Sequence, residues 1–176
     1  MAETTARADA IDLDSRDPER RLGRLLTDRP GLMIAAAESC TGGEVAHRIT
    51  AVPGSSAYFL GSIVAYANGA KHDLLKVPLT LLETKGAVSE ECAAAMAQGA
   101  RRAFGADVAI ATTGIAGPGG ATARKPVGLV YLALASSGGL IVEEHRFAGD
   151  RGAVVAAAAE AALQLLLHGV ADALGG

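Results

Sequence analysis

Two short apolar runs constrain the fold of this chain more than any other feature. Residues 32–37 (Leu-Met-Ile-Ala-Ala-Ala) and residues 107–112 (Asp-Val-Ala-Ile-Ala-Thr) are compact and largely apolar. Runs of this kind are typical of strands that are covered on both faces. Each run also ends in a glycine-rich loop. The pattern predicts an α/β fold in which helices pack on both sides of a sheet.

Three further strands and six helices complete the predicted fold. Residues 61–66 form another strand, and residues 127–135 and 140–147 form a hairpin through Ser136-Ser-Gly-Gly139. Because a hairpin adds antiparallel strands, the sheet is predicted to be mixed. The predicted helices span residues 18–29, 41–49, 68–75 (capped by Asn68), 78–84 (starting with proline), 89–104 (capped by Ser89) and 153–167. We predict a single-domain, three-layer α/β/α fold over residues 18–170, after a disordered polar tail at residues 1–17.

The composition excludes several classes of function. With 16 basic and 19 acidic residues among 176, and only 3% aromatic residues, the chain lacks the basic excess and the stacking surface of a nucleic-acid binder. Its two cysteines and four histidines show no metal-ligand spacing, so no metal site is predicted. The polar N-terminus does not resemble a signal peptide, and residues 153–167 fall short of a membrane-spanning helix. We expect a soluble cytoplasmic protein with no nucleic-acid or membrane partner.

The loop after the first strand is a candidate site for nucleophilic chemistry. It contains Ser39, Cys40 and Thr41, followed by Gly42 and Gly43 at the start of a helix. Backbone N–H groups at such a helix start can hold an anion or stabilise developing negative charge. Alternatively, Ser39 or Thr41 caps the helix and the glycines only form a tight turn. The loop matches neither a P-loop nor a G-x-S-x-G motif.

The loop after the second apolar run is the other candidate. It runs from Thr113 and Gly114 through Gly117 to residue 120, with four glycines and one proline in residues 112–120. Such a loop exposes its backbone to a ligand, although a plain glycine-rich connection would have the same composition. Ligands in α/β folds bind at the carboxyl ends of strands, so two such loops together favour a site there.

A serine nucleophile needs a base, and the four histidines are poorly placed for that role. None follows a strand with an acidic partner, although His145 is the least excluded. Tyr66 ends the predicted strand at residues 61–66, and Lys71 follows that strand by five residues, so a neighbouring strand end would bring both to the same edge as Ser39. A buried lysine with a lowered pKa can act as a base, whereas an ordinary Lys71 would be solvated and an ordinary Tyr66 would belong to the core. Cys40 is the rival nucleophile.

Six ordered motifs resemble those of the CinA C-terminal domain family over about residues 20–168. They are Ala37-Glu-Ser-Cys-Thr-Gly-Gly43, Tyr66-Ala-Asn-Gly-Ala-Lys71, Gly86-Ala-Val-Ser89, Thr113-Gly-Ile-Ala-Gly-Pro-Gly-Gly120, Lys125-Pro-Val-Gly128 and Phe147-Ala-Gly-Asp-Arg151. Enzymatic members of this family are nicotinamide mononucleotide deamidases, which release ammonia and nicotinate mononucleotide. The resemblance implies the same fold and activity, without a metal or other cofactor. It also implies a homo-oligomer, in the form that lacks the molybdopterin-binding-like domain found in many members.

The resemblance also assigns roles to residues. Ser39 would be the nucleophile, Lys71 the general base, and Tyr66 a hydroxyl that orients or relays the proton. Residues of the two loops and of the last helix would bind the substrate: Thr41, Gly42, Gly43, Thr113, Gly114, Gly117 and Arg151. Of these segments, the first loop together with Thr113 would hold the oxyanion. The second loop or Arg151 would hold the phosphate.

One departure from the family pattern concerns the last helix. The residues after Arg151 are apolar, whereas family members commonly carry another basic residue there. A different function therefore stays open, because sharing a fold does not settle activity. The alternative is a non-catalytic nucleotide-binding module associated with competence or damage responses.

Overall fold

The computed structural model describes residues 16–175, which form one mixed sheet with helices on both faces. The strands are β1 (Ile34–Glu38), β2 (Phe59–Val64), β3 (Val108–Gly114), β4 (Leu129–Ser136) and β5 (Gly139–Arg146). Their order in the sheet is β2-β1-β3-β4-β5. The first three strands are parallel, and β4 and β5 run antiparallel to their neighbours. The predicted mixed sheet is confirmed.

Six α-helices and one short 3₁₀ turn surround the sheet. The helices are α1 (Pro18–Asp28), α2 (Glu44–Thr50), α3 (Asn68–Leu75), α4 (Leu79–Thr84), α5 (Glu90–Phe104) and α6 (Arg151–Gly175), and the 3₁₀ turn is Ser55–Ala57. The predicted Ser89 cap of α5 is present, since its hydroxyl accepts the N–H of Cys92 at 3.2 Å. Two predicted starts shift by one residue: Ala67 rather than Asn68 occupies the cap of α3, and Pro78 caps α4 instead of opening it.

The helices divide into two layers, and each layer has its own apolar core. Helices α1, α2 and α6 pack on one face of the sheet, against side chains such as Ile34 and Ile110. Helices α3, α4 and α5 lie on the other side, where Ala35, Ala37 and Met96 are buried. Alternate residues of β1 thus face different cores, which explains why the run is apolar throughout. The predicted three-layer α/β/α architecture is confirmed.

Helix α6 is longer than the sequence pattern predicted. It continues past residue 167 to Gly175, and among residues 16–175 it is the one helix long and apolar enough to cross a membrane by length and composition. The expectation that this segment falls short of a spanning helix is therefore wrong. About half of its most apolar stretch (56%) is buried inside the fold. Its packing on α1, α2, β3 and β4 is that of a core helix.

The topology brings several chain segments to one edge of the sheet. Because β1, β2 and β3 are parallel, their carboxyl ends meet there. The antiparallel β4 begins at the same edge, next to Gly128, whose backbone has φ +88° and lies so close to the Phe147 carbonyl that a Cβ would not fit. Helix α6 also begins nearby, after Asp150, whose carboxylate accepts the N–H of Ala153. Residues 1–15, most of the predicted polar tail, lie outside the described residues.

Candidate active site at the carboxyl ends of β1, β2 and β3

A cavity of about 190 Å³ opens at this edge of the sheet. Seven of the candidate residues from the sequence line it, namely Ser39, Cys40, Tyr66, Lys71, Thr113, Gly114 and Arg151, whereas Thr41, Gly42, Gly43 and Gly117 do not. The other lining residues are Ala87, Val88 and Ala116, which lie in two of the family motifs but were assigned no role from the sequence. The strand ends therefore bring together chemistry-bearing side chains that are far apart in the chain.

Ser39 and Lys71 are in direct contact. The Nζ atom of Lys71 lies 2.9 Å from the Oγ atom of Ser39. It lies equally close to two backbone carbonyl oxygens, those of Ala65 and Tyr66, each at 2.9 Å. Lys71 is 1% exposed and Ser39 is 7% exposed. The interpretation of Lys71 as a solvated helix lysine is wrong, because the side chain points from α3 into the site.

The environment of Lys71 favours the neutral amine. Burial lowers the pKa of Lys71, and the carbonyl and hydroxyl oxygens around Nζ carry no full negative charge to oppose that shift. A neutral amine has two N–H groups and one lone pair. Two donations to the carbonyls of Ala65 and Tyr66 leave the lone pair directed at the Ser39 hydroxyl. This arrangement is suited to a general base that removes the Ser39 proton.

Glu38 occupies the position where an anion was expected at the start of α2. The Glu38 side chain is fully buried, and its carboxylate accepts hydrogen bonds from five groups. The donors are the Thr41 hydroxyl at 2.7 Å, the N–H groups of Gly43, Val45 and Ala46 at 2.9, 3.1 and 3.0 Å, and the Ser62 hydroxyl at 3.0 Å. An internal carboxylate thus satisfies the helix start, so this site is closed to a substrate phosphate.

The placement of Thr41, Gly42 and Gly43 corrects the predicted role of the first loop in substrate binding. The Thr41 hydroxyl is buried between Glu38 and Thr112, at 2.7 Å from each. The N–H of Gly42 donates to the Ser39 carbonyl, and the N–H of Gly43 donates to Glu38. None of the three lines the cavity. The capping alternative for Ser39 is also wrong, because Glu38 and not Ser39 caps α2.

Cys40 lines the cavity but is a poor nucleophile. Burial raises the pKa of the Cys40 thiol to about 11, so almost no thiolate is present near neutral pH. The Cys40 thiol forms its side-chain hydrogen bond with Thr112 and not with Lys71. Cys92 is fully buried in α5, where burial also raises its pKa to about 11. The Ser39 hydroxyl is therefore the better-activated group of the loop.

Tyr66 and Arg151 meet at the mouth of the cavity. The Nη2 atom of Arg151 donates to the Tyr66 hydroxyl at 3.0 Å, and its Nη1 atom donates to the Gly117 carbonyl at 2.9 Å. Tyr66 is 60% exposed, so it does not belong to the core. Its hydroxyl is bonded to Arg151 instead of Ser39 or Lys71, which does not match the predicted proton relay. The part of Tyr66 that contacts Lys71 is its carbonyl.

The second loop contributes backbone groups more than side chains. The Thr113 hydroxyl donates to the Ala87 carbonyl at 2.7 Å, so its proton is not available to an oxyanion. The N–H of Ile115 donates a hydrogen bond to the carbonyl of Leu129 at the start of β4. Because successive N–H groups of a strand point to opposite neighbours, the N–H of Gly114 points the other way, towards Ser39. Gly117 supplies its carbonyl to Arg151 and does not line the cavity. Gly114 itself tolerates no Cβ, which would meet Leu129 and Val130.

Other candidate groups lie away from the cavity. His145 contacts Glu143 at 2.8 Å and stacks on Phe147, so the histidine least excluded by the sequence is not a partner of Ser39. Two larger depressions, of about 410 and 440 Å³, flank the β4–β5 hairpin at residues 136–141 and contain no paired nucleophile and base. Within residues 16–175, no group of His, Cys, Asp or Glu side chains could hold a metal ion.

Glu38 is the buried residue beside the site that sequence reasoning missed. Its signal was a carboxylate at the end of an otherwise apolar strand, directly before a helix start. A charge in that position is buried by the sheet and needs several donors. The free N–H groups of the first helical turn are the donors nearest in sequence.

Comparisons with known proteins agree with this architecture. A model of the CinA C-terminal domain family matches residues 16–170. The chain is similar to a CinA-like protein of Geotalea uraniireducens, with 61% identity over 121 residues, covering 69% of this chain and 29% of the relative. It is 55% identical over 145 residues to a CinA-like protein of Geobacter sulfurreducens, covering 82% of this chain and 35% of the relative. The chain thus spans about a third of the length of these curated relatives.

Solved structures cover nearly the same extent as this chain. The competence/damage inducible protein CihA from Agrobacterium tumefaciens is 43% identical with a TM-score of 0.82, covering 88% of this chain and 96% of that chain. A CinA superfamily protein from Klebsiella pneumoniae is 36% identical with a TM-score of 0.83 and the same coverage. With the family match over most of its length and the mixed α/β sheet in common, the chain belongs to the CinA C-terminal domain family.

Proposed function

We propose that this protein is a nicotinamide mononucleotide deamidase, which hydrolyses the carboxamide of that nucleotide to nicotinate mononucleotide and ammonia. The proposal is carried by one observation: a buried lysine, whose other two contacts are backbone carbonyls, lies 2.9 Å from a serine hydroxyl in an open cavity. A pure binding site has no need for this pair. The family resemblance supplies the substrate.

In the first half-reaction, Ser39 attacks the amide carbon. Its Oγ–H proton passes to Nζ of Lys71 while the Oγ–C bond forms, and the carbonyl electrons move onto oxygen. Lys71 then gives that proton to the amide nitrogen. The C–N bond breaks, ammonia leaves, and the nicotinoyl group stays on Ser39 as an ester.

In the second half-reaction, water resolves the ester. Lys71, neutral again, takes a proton from the water as it attacks the acyl carbon. Collapse of the second tetrahedral intermediate breaks the Oγ–C bond, and Lys71 returns the proton to Ser39. One water is consumed and one ammonia is released per turnover, so no other co-reactant is needed.

Backbone N–H groups at the strand ends are suited to hold the oxyanion. Within residues 16–175, the N–H of Cys40 contacts only the sulfur of the same residue. The N–H of Gly114 lies beyond the last paired residues of β1 and β3, Glu38 and Thr112, and faces the space between the two chain segments. Cys40 and Gly114 both line the cavity with Ser39. Preorganised donors of this kind contribute about 10²–10³-fold each in hydrolases of known mechanism.

Arg151 is the residue that we assign to the substrate phosphate. It and Lys71 are the two basic side chains of the cavity lining, and Lys71 contacts Ser39 as the proposed neutral base. Arg151 lies at the exposed mouth, and its two hydrogen bonds leave further guanidinium N–H groups for a phosphate. The nicotinamide ring would then lie inward, against Ala87, Val88 and Ala116.

An ammonia-release assay with purified protein tests this function. Wild-type protein incubated with nicotinamide mononucleotide should release ammonia, and Ser39→Ala should abolish release. Cys40→Ala is the matched control, because it alters the neighbouring cavity residue without removing the hydroxyl. Intact-protein mass spectrometry of quenched wild type should show an adduct equal to the substrate minus ammonia. Turnover by Ser39→Ala together with inactivity of Cys40→Ala would overturn the proposal.

A second candidate function is a non-catalytic nucleotide-binding module in competence or damage responses. It is motivated by the similarity to the competence/damage inducible protein CihA of Agrobacterium tumefaciens and by the apolar residues after Arg151. Calorimetry separates the two candidates. Binding of nicotinamide mononucleotide with no ammonia over a long incubation would favour the binding module.

We further propose that the protein acts in the cytoplasm as a homo-oligomer. Its ligand would be the nucleotide substrate, with no nucleic-acid or membrane partner. The absence of a basic excess supports the exclusion of nucleic acid. Small exposed side chains near the start of α6, those of Ala153 and Ala156, suit a close helix contact between subunits. Sedimentation equilibrium tests the oligomer, and a purely monomeric protein at working concentration would contradict it.

A further inference from the structure

Glu38 has a chemical role that the proposed reaction does not yet use. It directly precedes Ser39 in the chain, and its carboxylate ties three separate segments together. These are the turn at Thr41, the first turn of α2, and Ser62 on the neighbouring strand β2. All five of its hydrogen bonds are internal and the side chain is fully buried. A buried carboxylate this well satisfied holds its surroundings in one arrangement.

The carboxylate also removes a competition for the Ser39 hydroxyl. The first N–H groups of a helix need acceptors, and serine and threonine hydroxyls are among the preferred ones. Ser39 and Thr41 both lie in the turn that leads into α2, which begins at Glu44. In this structure Glu38 takes the N–H groups of Gly43, Val45 and Ala46, and it also takes the Thr41 proton. Ser39 is left to contact Lys71.

We infer that Glu38 is a positioning residue for the nucleophile: its carboxylate caps helix α2 in place of a hydroxyl and so reserves the Ser39 hydroxyl for Lys71. This inference rests on the proposed function in assigning Ser39 as nucleophile. Glu38 touches neither the cavity nor Lys71, so it acts only through the turn at residues 39–43. Its loss should change how Ser39 is aimed, while the substrate contacts stay the same.

The test compares Glu38→Gln with Glu44→Gln. Glutamine keeps the shape of Glu38 but turns one acceptor oxygen into a donor, facing groups that are themselves donors. Glu44 lies in the first turn of the same helix, and Glu44→Gln removes the same charge there without touching the Glu38 hydrogen bonds. The readouts are the rate at which a small fluorophosphonate labels Ser39, followed by mass spectrometry, and kcat, KM and the pH profile of ammonia release.

Misplacing a reacting group by about 1 Å costs roughly 100-fold in rate, so Glu38→Gln should lower both labelling and kcat by about that factor. KM and the midpoint of the pH profile should stay at their wild-type values, because Arg151 keeps its contacts and Lys71 keeps its burial and its two carbonyl contacts. Glu44→Gln should behave as wild type in every readout. Folded Glu38→Gln that is labelled at the wild-type rate would overturn the inference.

A second pair of variants covers the case in which Glu38→Gln does not fold. Thr41→Val removes one donor to Glu38 but keeps the carboxylate and the side-chain shape, and Thr41→Ser keeps the hydroxyl. Thr41→Val should label several-fold more slowly than Thr41→Ser, and equal rates would contradict the inference. Labelling needs no nucleotide. Wild type that is labelled at Ser39 but releases no ammonia would reject the proposed substrate and still leave the role of Glu38 testable.

Discussion

Lys71 reaches Ser39 from 32 positions further along the chain, and the two side chains meet at 2.9 Å. Ser39 lies just beyond β1, and Lys71 extends from the first turns of α3, after β2. Parallel pairing of β1 and β2 places the two strand ends side by side. The two paired strand ends thus position the proposed nucleophile and base relative to each other.

The rate of amide hydrolysis should rise with pH. Burial lowers the pKa of Lys71, and the neutral form must accept the Ser39 proton. Below that pKa, kcat/KM should increase about tenfold per pH unit, and above it the profile should reach a plateau. A series of ammonia-release assays from pH 5 to alkaline pH measures this, with buffers matched in ionic strength. A flat profile would argue against lysine as the base.

Lys71 should also make stability depend on pH. Its pKa is lower in the folded state than in the unfolded chain, so between the two pKa values the unfolded chain binds more protons. The contribution of Lys71 to the free energy of unfolding therefore increases as pH rises from its folded-state pKa towards 10.5, the ordinary pKa of lysine. Lys71→Met lacks this contribution. Urea denaturation at neutral and alkaline pH should show wild type gaining stability relative to Lys71→Met at the higher pH.

Removing the Cys40 thiol should leave catalysis largely intact. Its pKa of about 11 makes it almost fully protonated at neutral pH, and its hydrogen bond is to Thr112. Cys40→Ala should therefore keep kcat within about threefold of wild type, since a protonated thiol contributes little as a nucleophile. A thiol-alkylating reagent gives an independent check. Rapid alkylation of Cys40 in the folded protein would contradict the assigned burial and pKa.

Tyr66→Phe should affect substrate binding more than the chemical step. The hydroxyl that it removes accepts from Arg151, whereas the Tyr66 carbonyl that holds Lys71 remains. We expect KM to rise by a factor of about 3–10, as for the loss of one solvent-exposed hydrogen bond of about 0.7–1.4 kcal/mol, with kcat nearly unchanged. Steady-state kinetics separates the two parameters. A large fall in kcat at constant KM would restore the proton-relay role for this hydroxyl.

The contact between α5 and α3 should be intolerant of a single added methyl group. A Cβ on Gly99 would collide with the carbonyl of Leu75, which ends the helix that carries Lys71. Gly99→Ala should cost roughly 1–3 kcal/mol of unfolding free energy through overpacking. Gly69→Ala is the matched control, because it is also helical but has no atom near the added Cβ. It should stabilise by about 0.4–1 kcal/mol in the same denaturation experiment.

Much of the fold followed from sequence because its signals are local. The apolar run of residues 32–37 predicted a doubly covered strand, and the Ser89 cap with nearby acidic residues predicted the start of α5. Helix ends were less predictable. The sequence pattern for α6 stopped at residue 167, but packing of Val170 on the core carries the helix to Gly175. Tertiary contacts can prolong a helix beyond its strongest local pattern.

The sequence by itself determined which residue types the site would contain, because its glycine-rich loops, a serine and a lysine fall directly after predicted strands. Only the tertiary structure decided what each one contacts. Burial and parallel pairing aim Lys71 at Ser39, the Tyr66 hydroxyl turns to Arg151, and Glu38 takes the helix start that seemed open to a phosphate. Hydrogen-bond partners depend on distances between segments far apart in the chain, and no local pattern encodes those distances.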